Sequence, residues 1–140
     1  MKKTFALLGL LTATAAFLPG CATEDTGAFV PVNTTVNDRE NHEPIVLMTA
    51  RVQVSVTCSG IQVRTLEDGR LEVNANIRNR EGRRIQVQIN CEFKDDQGFV
   101  TEAETPFQNL ILTENAQETV HFVSLNNKAK RFTIRVREAH

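Results

Sequence analysis

Hydrophobic and polar residues alternate along most of the chain after residue 50. The longest such run is 85–93, where Ile, Val, Cys and Phe occupy every second position between Gln, Asn and Glu. Successive side chains of a strand point to opposite faces, so this alternation predicts strands with one apolar and one polar face. Shorter alternating segments cover 52–58, 61–63, 71–77, 99–102, 108–113, 118–124 and 131–137.

Turn signals separate these segments. Asp68 and Gly69 form a turn dipeptide, and Ser59 and Gly60 shift the alternation by one position, as a β-bulge does. No segment beyond the N-terminal region has a helical pattern. Since strands with one apolar face exclude water by pairing two such faces, we expect an all-β fold, an immunoglobulin-like antiparallel β-sandwich of about seven or eight strands. A small β-barrel is the alternative, because alternation does not show whether a sheet closes on itself.

The first 20 residues have the layout of an export signal. Two lysines precede the apolar stretch FALLGLLTATAAFL, which is followed by PGC. The sequence LPGC resembles a bacterial lipobox, which implies cleavage before Cys21 and attachment of diacylglycerol to its sulfur. The alternative is an ordinary secretory signal cut after Ala15 or Ala16, which leaves Cys21 as a free thiol.

The residues after Cys21 predict where the protein resides. Ala22 follows the cysteine, which in lipoproteins of this type implies the outer membrane, with the folded domain in the periplasm and acyl chains such as palmitate in the bilayer. The next residues are rich in Thr, Asn, Asp and Glu, as expected for a flexible spacer. We therefore predict a lipoprotein signal peptide over 1–20, the lipidated cysteine and tether over 21–44, and the β-sandwich over 45–140.

Composition and motifs exclude several functions. The net charge is -1 with no extended block of one sign, so the footprint of a nucleic-acid-binding protein is missing. No nucleophile elbow, zinc-protease helix, phosphate-binding loop or catalytic Cys-His signature occurs, which predicts a protein that is not an enzyme and needs no cofactor. The candidate metal ligands are too scattered to predict a metal site. They are His42, Met48, Cys58, Cys91 and His121.

Cys58 and Cys91 both lie at inward positions of their predicted strands. In an oxidising compartment two such cysteines predict a disulfide, which would close a loop of about 33 residues and stabilise the fold by roughly 3–4 kcal/mol. Two buried free thiols that pack as small apolar side chains are the alternative, because the sequence does not give their separation.

Four arginines cluster around the turn that follows the 71–77 strand. Arg78, Arg80, Arg83 and Arg84 form this group, and a second basic group crowds the last hairpin. If the two groups met, they would fit an anionic partner such as a carboxylate, a lipid headgroup or an acidic protein face. The alternative is a set of solvated charges that protect exposed strands against edge pairing. The second group comprises Lys128, Lys130, Arg131, Arg135 and Arg137.

The run DGRLEVNANIRNREGRRIQVQINCEFKDDQG is similar to the YcfL-like family of bacterial envelope lipoproteins. The resemblance extends over 52–138 and to the lipobox, although Phe93 stands where the family usually has Trp and Cys91 where an aromatic residue is common. It implies a lipoprotein without established activity. Genes of the family often lie near that of a lipoprotein activator of penicillin-binding proteins, which implies a connection with cell-wall synthesis.

These observations lead to one functional prediction and one alternative. We expect a membrane-anchored, non-enzymatic interaction or scaffold module whose partners are cell-envelope proteins. A lipoprotein that binds a small ligand or an ion is the alternative, and it would require a polar pocket between the sheets. The pattern indicates no particular oligomeric state.

Overall fold

Seven strands form two sheets within residues 39–139, the part of the chain that the computed structural model describes. The predicted signal peptide, Cys21 and the tether up to residue 38 lie outside the described residues. No helix within the described part is long and apolar enough to cross a membrane. The elements are α1 (Arg39–His42), β1 (Ile45–Leu47), α2 (Ala50–Ser55), β2 (Val56–Thr65), β3 (Leu71–Asn79), β4 (Ile85–Lys94), β5 (Gln108–Leu112), β6 (Gln117–Val123) and β7 (Arg131–Glu138).

The strand order confirms the predicted all-β sandwich. Sheet A has the order β1-β7-β4-β5 and sheet B the order β2-β3-β6. Neighbouring strands are antiparallel except β1 and β7, which run parallel with Ile45 opposite Ile134. No described strand pairs with both sheets, so the small barrel considered as an alternative is wrong.

The inner faces of both sheets supply a single apolar core. Ile77 of sheet B and Ile89 and Ile134 of sheet A have no exposed surface, and Phe93, the largest of the buried side chains, is 1% exposed. All four occupy inward positions of the predicted alternation, which explains why the sequence predicted β3, β4 and β7 well.

The segment 50–55 is helical, whereas the alternation predicted a strand from Val52. The Thr49 hydroxyl accepts a hydrogen bond from the Val52 amide at 3.3 Å and caps α2. Val52 and Ser55, three positions apart, are buried, whereas Val54 is 70% exposed. Valine at every second position was therefore misleading here, because the buried positions follow the helical period.

Other local predictions had mixed outcomes. The bulge is confirmed by a register shift between Cys58 and Gly60 in the β2–β3 pairing. Gly69 and Gly98 have φ angles of 84° and 92°, as their turns require. The predicted strand at 99–102 is wrong, because only the single bridge between Val100 and Lys94 forms there.

The two ends of the sandwich carry different loops. We call one the entry end, because the described chain begins there: the side chains of Lys94 and Thr133 hydrogen-bond the Glu40 carbonyl, and the Ile134 amide donates to the Pro44 carbonyl at 2.9 Å. Loops 66–70, 95–103 and 124–130 lie at this end. The opposite end, which we call the cleft end, carries α2, loops 80–84 and 113–116, and the end of β7.

Candidate anion-binding cleft

A cleft of about 220 Å³ opens at the cleft end, and we call it the arginine cleft. Arg51 comes from α2, whereas Arg83 and Arg84 come from the loop between β3 and β4. The buried Ser55 also lies in its wall. The remaining lining residues are Val52, Ile85, Gln86, Val87, Glu138 and Ala139.

Asn79 fixes the loop that carries Arg83 and Arg84. Its side chain is completely buried, and its Nδ2 donates hydrogen bonds to the carbonyls of Arg83 at 2.7 Å and Thr113 at 2.8 Å. Its Oδ1 accepts from the Glu81 amide at 2.8 Å. Since one side chain thus binds both adjoining loops, the cleft has a defined backbone rather than a loose turn.

Glu81 contacts Ser55 and Arg83 of the cleft wall and is held as a carboxylate. Its side chain accepts hydrogen bonds from the Ser55 hydroxyl and from Arg83 Nε. These two bonds, with smaller contributions from the Arg83 and Arg51 charges, lower the pKa of Glu81 below its usual value. An ionised Glu81 therefore orients Arg83.

Positively charged side chains outnumber negatively charged ones in the lining of the arginine cleft. Arg51 is 3.8 Å from Glu138, and Arg83 pairs with Glu81. Within residues 39–139, Arg84 forms neither an ion pair nor a side-chain hydrogen bond. A planar guanidinium binds a carboxylate or phosphate through two parallel hydrogen bonds, so this arrangement suits an anionic group.

The structure brings together only part of the predicted arginine patch. Arg83 and Arg84 line the cleft, whereas Arg78 and Arg80 are exposed beside it and do not line it. Arg51 was missed, because it lies in a segment that the alternation assigned to the approach of a strand. The Thr49 capping residue was the sequence signal that could have revealed α2 and with it Arg51.

The second basic group does not join the first. Arg135 binds Glu104 and lies 3.2 Å from Asn90, and Arg137 lies 2.9 Å from Gln88 with its guanidinium 3.8 Å from the centre of the Phe107 ring. These arginines are therefore engaged along sheet A. Lys128, Lys130 and Arg131 lie at the entry end, away from the arginine cleft.

The two described cysteines are free thiols in different sheets, and only Cys91 is buried. Cys91 has no exposed surface, and burial, with smaller effects of Glu102 and Glu92, raises its pKa to about 12. Cys58 is half-buried in the edge strand β2, with its Sγ 3.5 Å from the Gly60 carbonyl. The two thiols therefore differ strongly in reactivity.

A charged group also lies on the outer face of sheet B. Glu72 is 6% exposed, accepts a hydrogen bond from Arg64, and has its Oε1 2.9 Å from His121 Nε2. The bond from Arg64, followed by that from His121, lowers the pKa of Glu72 to about 2. His121 is 55% exposed at its side chain. This cluster joins all three strands of sheet B and has a structural role.

A second, smaller cleft of about 180 Å³ lies at the entry end. Lys94 in its wall is 2% exposed and is satisfied by Glu40, Thr133 and Glu92. It holds the incoming chain rather than presenting a free charge. Across residues 39–139, no three His, Cys, Asp or Glu side chains come together as metal ligands do.

Two solved structures resemble this fold. That of the Campylobacter jejuni protein cj0090 has 17% sequence identity and a TM-score of 0.59, with 69% of this chain and 98% of that chain covered. That of a DUF1425 family member from Shewanella sp. pv-4 has 27% identity and a TM-score of 0.55, with 61% of this chain and 79% of that chain covered.

Comparison with protein families identifies the chain more directly. None of the curated proteins matches it. The family model described as "Protein of unknown function (DUF1425)" matches residues 43–138, which include every strand of the sandwich. The chain therefore belongs to the DUF1425 family.

Proposed function

We propose that this chain is a lipid-anchored envelope lipoprotein whose β-sandwich is a non-enzymatic interaction module. Its partner is an acidic cell-envelope protein that binds at the arginine cleft. The observation that carries this proposal is the convergence of Arg51, Arg83 and Arg84 at one end of a sandwich with an apolar core. An apolar interior and an open charged end favour recognition at the surface.

The composition of the cleft end fits protein recognition. Arginine is enriched at binding hot spots, because its guanidinium forms several hydrogen bonds and its stem adds apolar contact area. Val54 of α2 is 70% exposed and Met48, just before α2, is 44% exposed. Apolar side chains next to partly unpaired arginines give a partner both a charged and an apolar contact.

The location and the biological connection rest on the sequence. The LPGC motif and Ala22 support anchoring through Cys21 in the outer membrane, with the sandwich in the periplasm. The resemblance to the YcfL-like lipoproteins supports a link with cell-wall synthesis, and the DUF1425 match is compatible with it. We therefore expect the acidic partner among periplasmic proteins of the cell-wall machinery.

Site-specific photo-cross-linking in living cells tests the proposal. A photoreactive amino acid replaces Gln53, an exposed residue of α2 that does not line the cleft. We expect a discrete adduct with one envelope protein, identified by mass spectrometry. The charge reversals R83E and R84E together should abolish it, because they replace attraction to an acidic face with repulsion.

A matched control separates this effect from a general change of charge. K128E and K130E together make the same change in net charge at the entry end, and should leave the adduct unchanged. Equal adduct yields in both double variants would contradict the proposal. Mass spectrometry of the N-terminal peptide tests the anchor separately, since a lipidated Cys21 carries the added mass of its acyl chains.

The volume of the arginine cleft favours one other candidate, a small anionic ligand. A cleft of about 220 Å³ accommodates phosphate or a short dicarboxylate. Thermal unfolding in the presence of inorganic phosphate or succinate distinguishes this candidate. A concentration-dependent rise of Tm in the wild type that R83E and R84E remove would favour the small ligand. The absence of such a rise would favour the protein partner.

A further inference from the structure

Three large apolar side chains are exposed at the entry end. Leu125 is 77% exposed, Phe99 is 66% exposed and Val100 is 54% exposed. Phe99 and Val100 follow the turn after β4, and Leu125 follows β6. Single exposed apolar residues are common, but three on adjoining loops give this end of the sandwich an apolar character.

Hydrogen bonds hold these loops together. The Glu102 carboxylate accepts from the Leu125 amide at 2.8 Å and from the Asn126 amide at 3.2 Å. The Asn126 side chain donates to the Thr101 carbonyl at 3.2 Å. The apolar tips are therefore fixed relative to each other rather than carried on independent loops.

The described chain begins at this same end. Lys94 and Thr133 bind the Glu40 carbonyl, so Arg39 leaves the sandwich beside the loops that carry the apolar tips. Cys21 precedes Arg39 by 18 positions. A lipid on Cys21 therefore draws the entry end toward the bilayer, while the arginine cleft lies at the other end of the strands.

The charges around the apolar tips are of both signs, with a small acidic excess. The three loops of the entry end carry five acidic and three basic residues, which are Glu67, Asp68, Asp95, Asp96 and Glu102 against Arg70, Lys128 and Lys130. Charge therefore does not attract this end to an anionic bilayer. The apolar side chains, rather than charge, decide what binds here.

We propose that the entry end rests on the lipid bilayer through Phe99, Val100 and Leu125. This inference rests on the proposed function, because it requires the lipid anchor at Cys21. It adds an orientation to that function: the apolar tips enter the headgroup region, and the arginine cleft faces the periplasm. A second attachment besides the acyl chains limits rotation of the domain and presents the cleft to partners in one direction.

Tryptophan fluorescence tests the orientation in the lipidated full-length protein. The chain contains neither Trp nor Tyr, so an introduced Trp is the only strong emitter. The variants F99W and L125W place it at the apolar tips, and V54W places it at the cleft end as a matched exposed control. Each protein is reconstituted into phosphatidylcholine vesicles with or without brominated acyl chains, which quench Trp on contact.

We expect F99W and L125W to show blue-shifted emission and quenching by brominated lipid, and V54W to show neither. Quenching should persist at high salt, because apolar contact drives it. Absence of quenching in F99W and L125W, with acyl chains present on Cys21, would overturn this inference and leave the anchor intact. The same inference fails if V54W is quenched instead. An unlipidated Cys21 would refute the anchored function together with this inference.

Discussion

Replacement of Asn79 by Asp should destabilise the domain strongly, although it changes the side chain by one atom. The Asn79 Nδ2 donates to the carbonyls of Arg83 and Thr113 at 2.7 and 2.8 Å, inside a site with no exposed surface. Aspartate at this position turns a donor into an acceptor. The Arg83 carbonyl loses this donor, the Thr113 carbonyl keeps only the Ala116 amide at 3.2 Å, and a carboxylate oxygen faces both.

The magnitude follows from these contacts. The loss of two hydrogen bonds costs about 2 kcal/mol, and a carboxylate at a position with no exposed surface raises the total to about 3–5 kcal/mol. A domain of this size is stable by roughly 5–15 kcal/mol, so N79D should remove a large share of that stability. It should also displace the β3–β4 loop and weaken cross-linking at the arginine cleft.

Urea unfolding followed by circular dichroism measures this effect, since the absence of Trp and Tyr precludes intrinsic fluorescence as a strong probe. The matched control is N74D on the outer face of the same strand, where Asn74 is only half-buried. We expect it to change stability by less than about 0.5 kcal/mol. If N79D loses less than about 1 kcal/mol, Asn79 does not organise the loop and the reasoning is wrong.

Three further predictions concern other parts of the sandwich. The pKa of Glu72 in the folded protein is about 2, below the usual value of 4.5, so its contribution to stability should be complete above pH 4.5 and lost as the pH falls toward 2. E72Q should reduce this pH dependence of stability, as measured by urea unfolding at several pH values. An unchanged pH dependence would contradict the prediction. A maleimide at pH 8 should modify Cys58 but not Cys91 in the folded protein. Peptide mapping that finds both cysteines modified would refute the burial of Cys91, and a disulfide between them would refute their assignment as free thiols. F93A should lower the free energy of unfolding by about 3–5 kcal/mol, whereas F99A, at an exposed position, should lower it by less than about 0.5 kcal/mol. Similar losses of stability in both variants, measured by calorimetry, would contradict the placement of Phe93 in the core.

The sequence was sufficient for the strands in which one face is entirely apolar. In β4, Val87, Ile89, Cys91 and Phe93 are all buried on the inner face, and the intervening residues are polar, as the alternation predicted. Asn90 and Lys94 on the outer face are buried as well, which the alternation did not predict. The packing of the two sheets then followed from the need to cover both faces.

Elements whose stability depends on neighbours could not be predicted in this way. The helix α2 has only six residues, and the spacing of Val52, Val54 and Val56 across its end imitates a strand. The three-residue strand β1 forms only through its parallel pairing with β7, so its partner decides its conformation. Such tertiary effects override local propensity.

The candidate site was predictable to the same extent. Arg83 and Arg84 are adjacent in a turn, and their charge is visible in the sequence. Arg51 joins them only because α2 packs at the end of the sandwich. Arg135 and Arg137 are equally basic in sequence, yet Glu104, Gln88 and the Phe107 ring engage them. Charge density alone did not separate arginines that bind the protein itself from those that remain available.

The central claim is tested most directly by exchanging charges across the interface between the arginine cleft and its partner. Once cross-linking from residue 53 has identified the partner and its acidic contact residue, R84E is combined with replacement of that acidic residue by Arg. We predict that R84E alone weakens the purified complex, and that the double exchange restores its Kd toward the wild-type value. A complex that R84E leaves unchanged, or that the exchange fails to restore, would contradict recognition of an acidic partner by the arginine cleft.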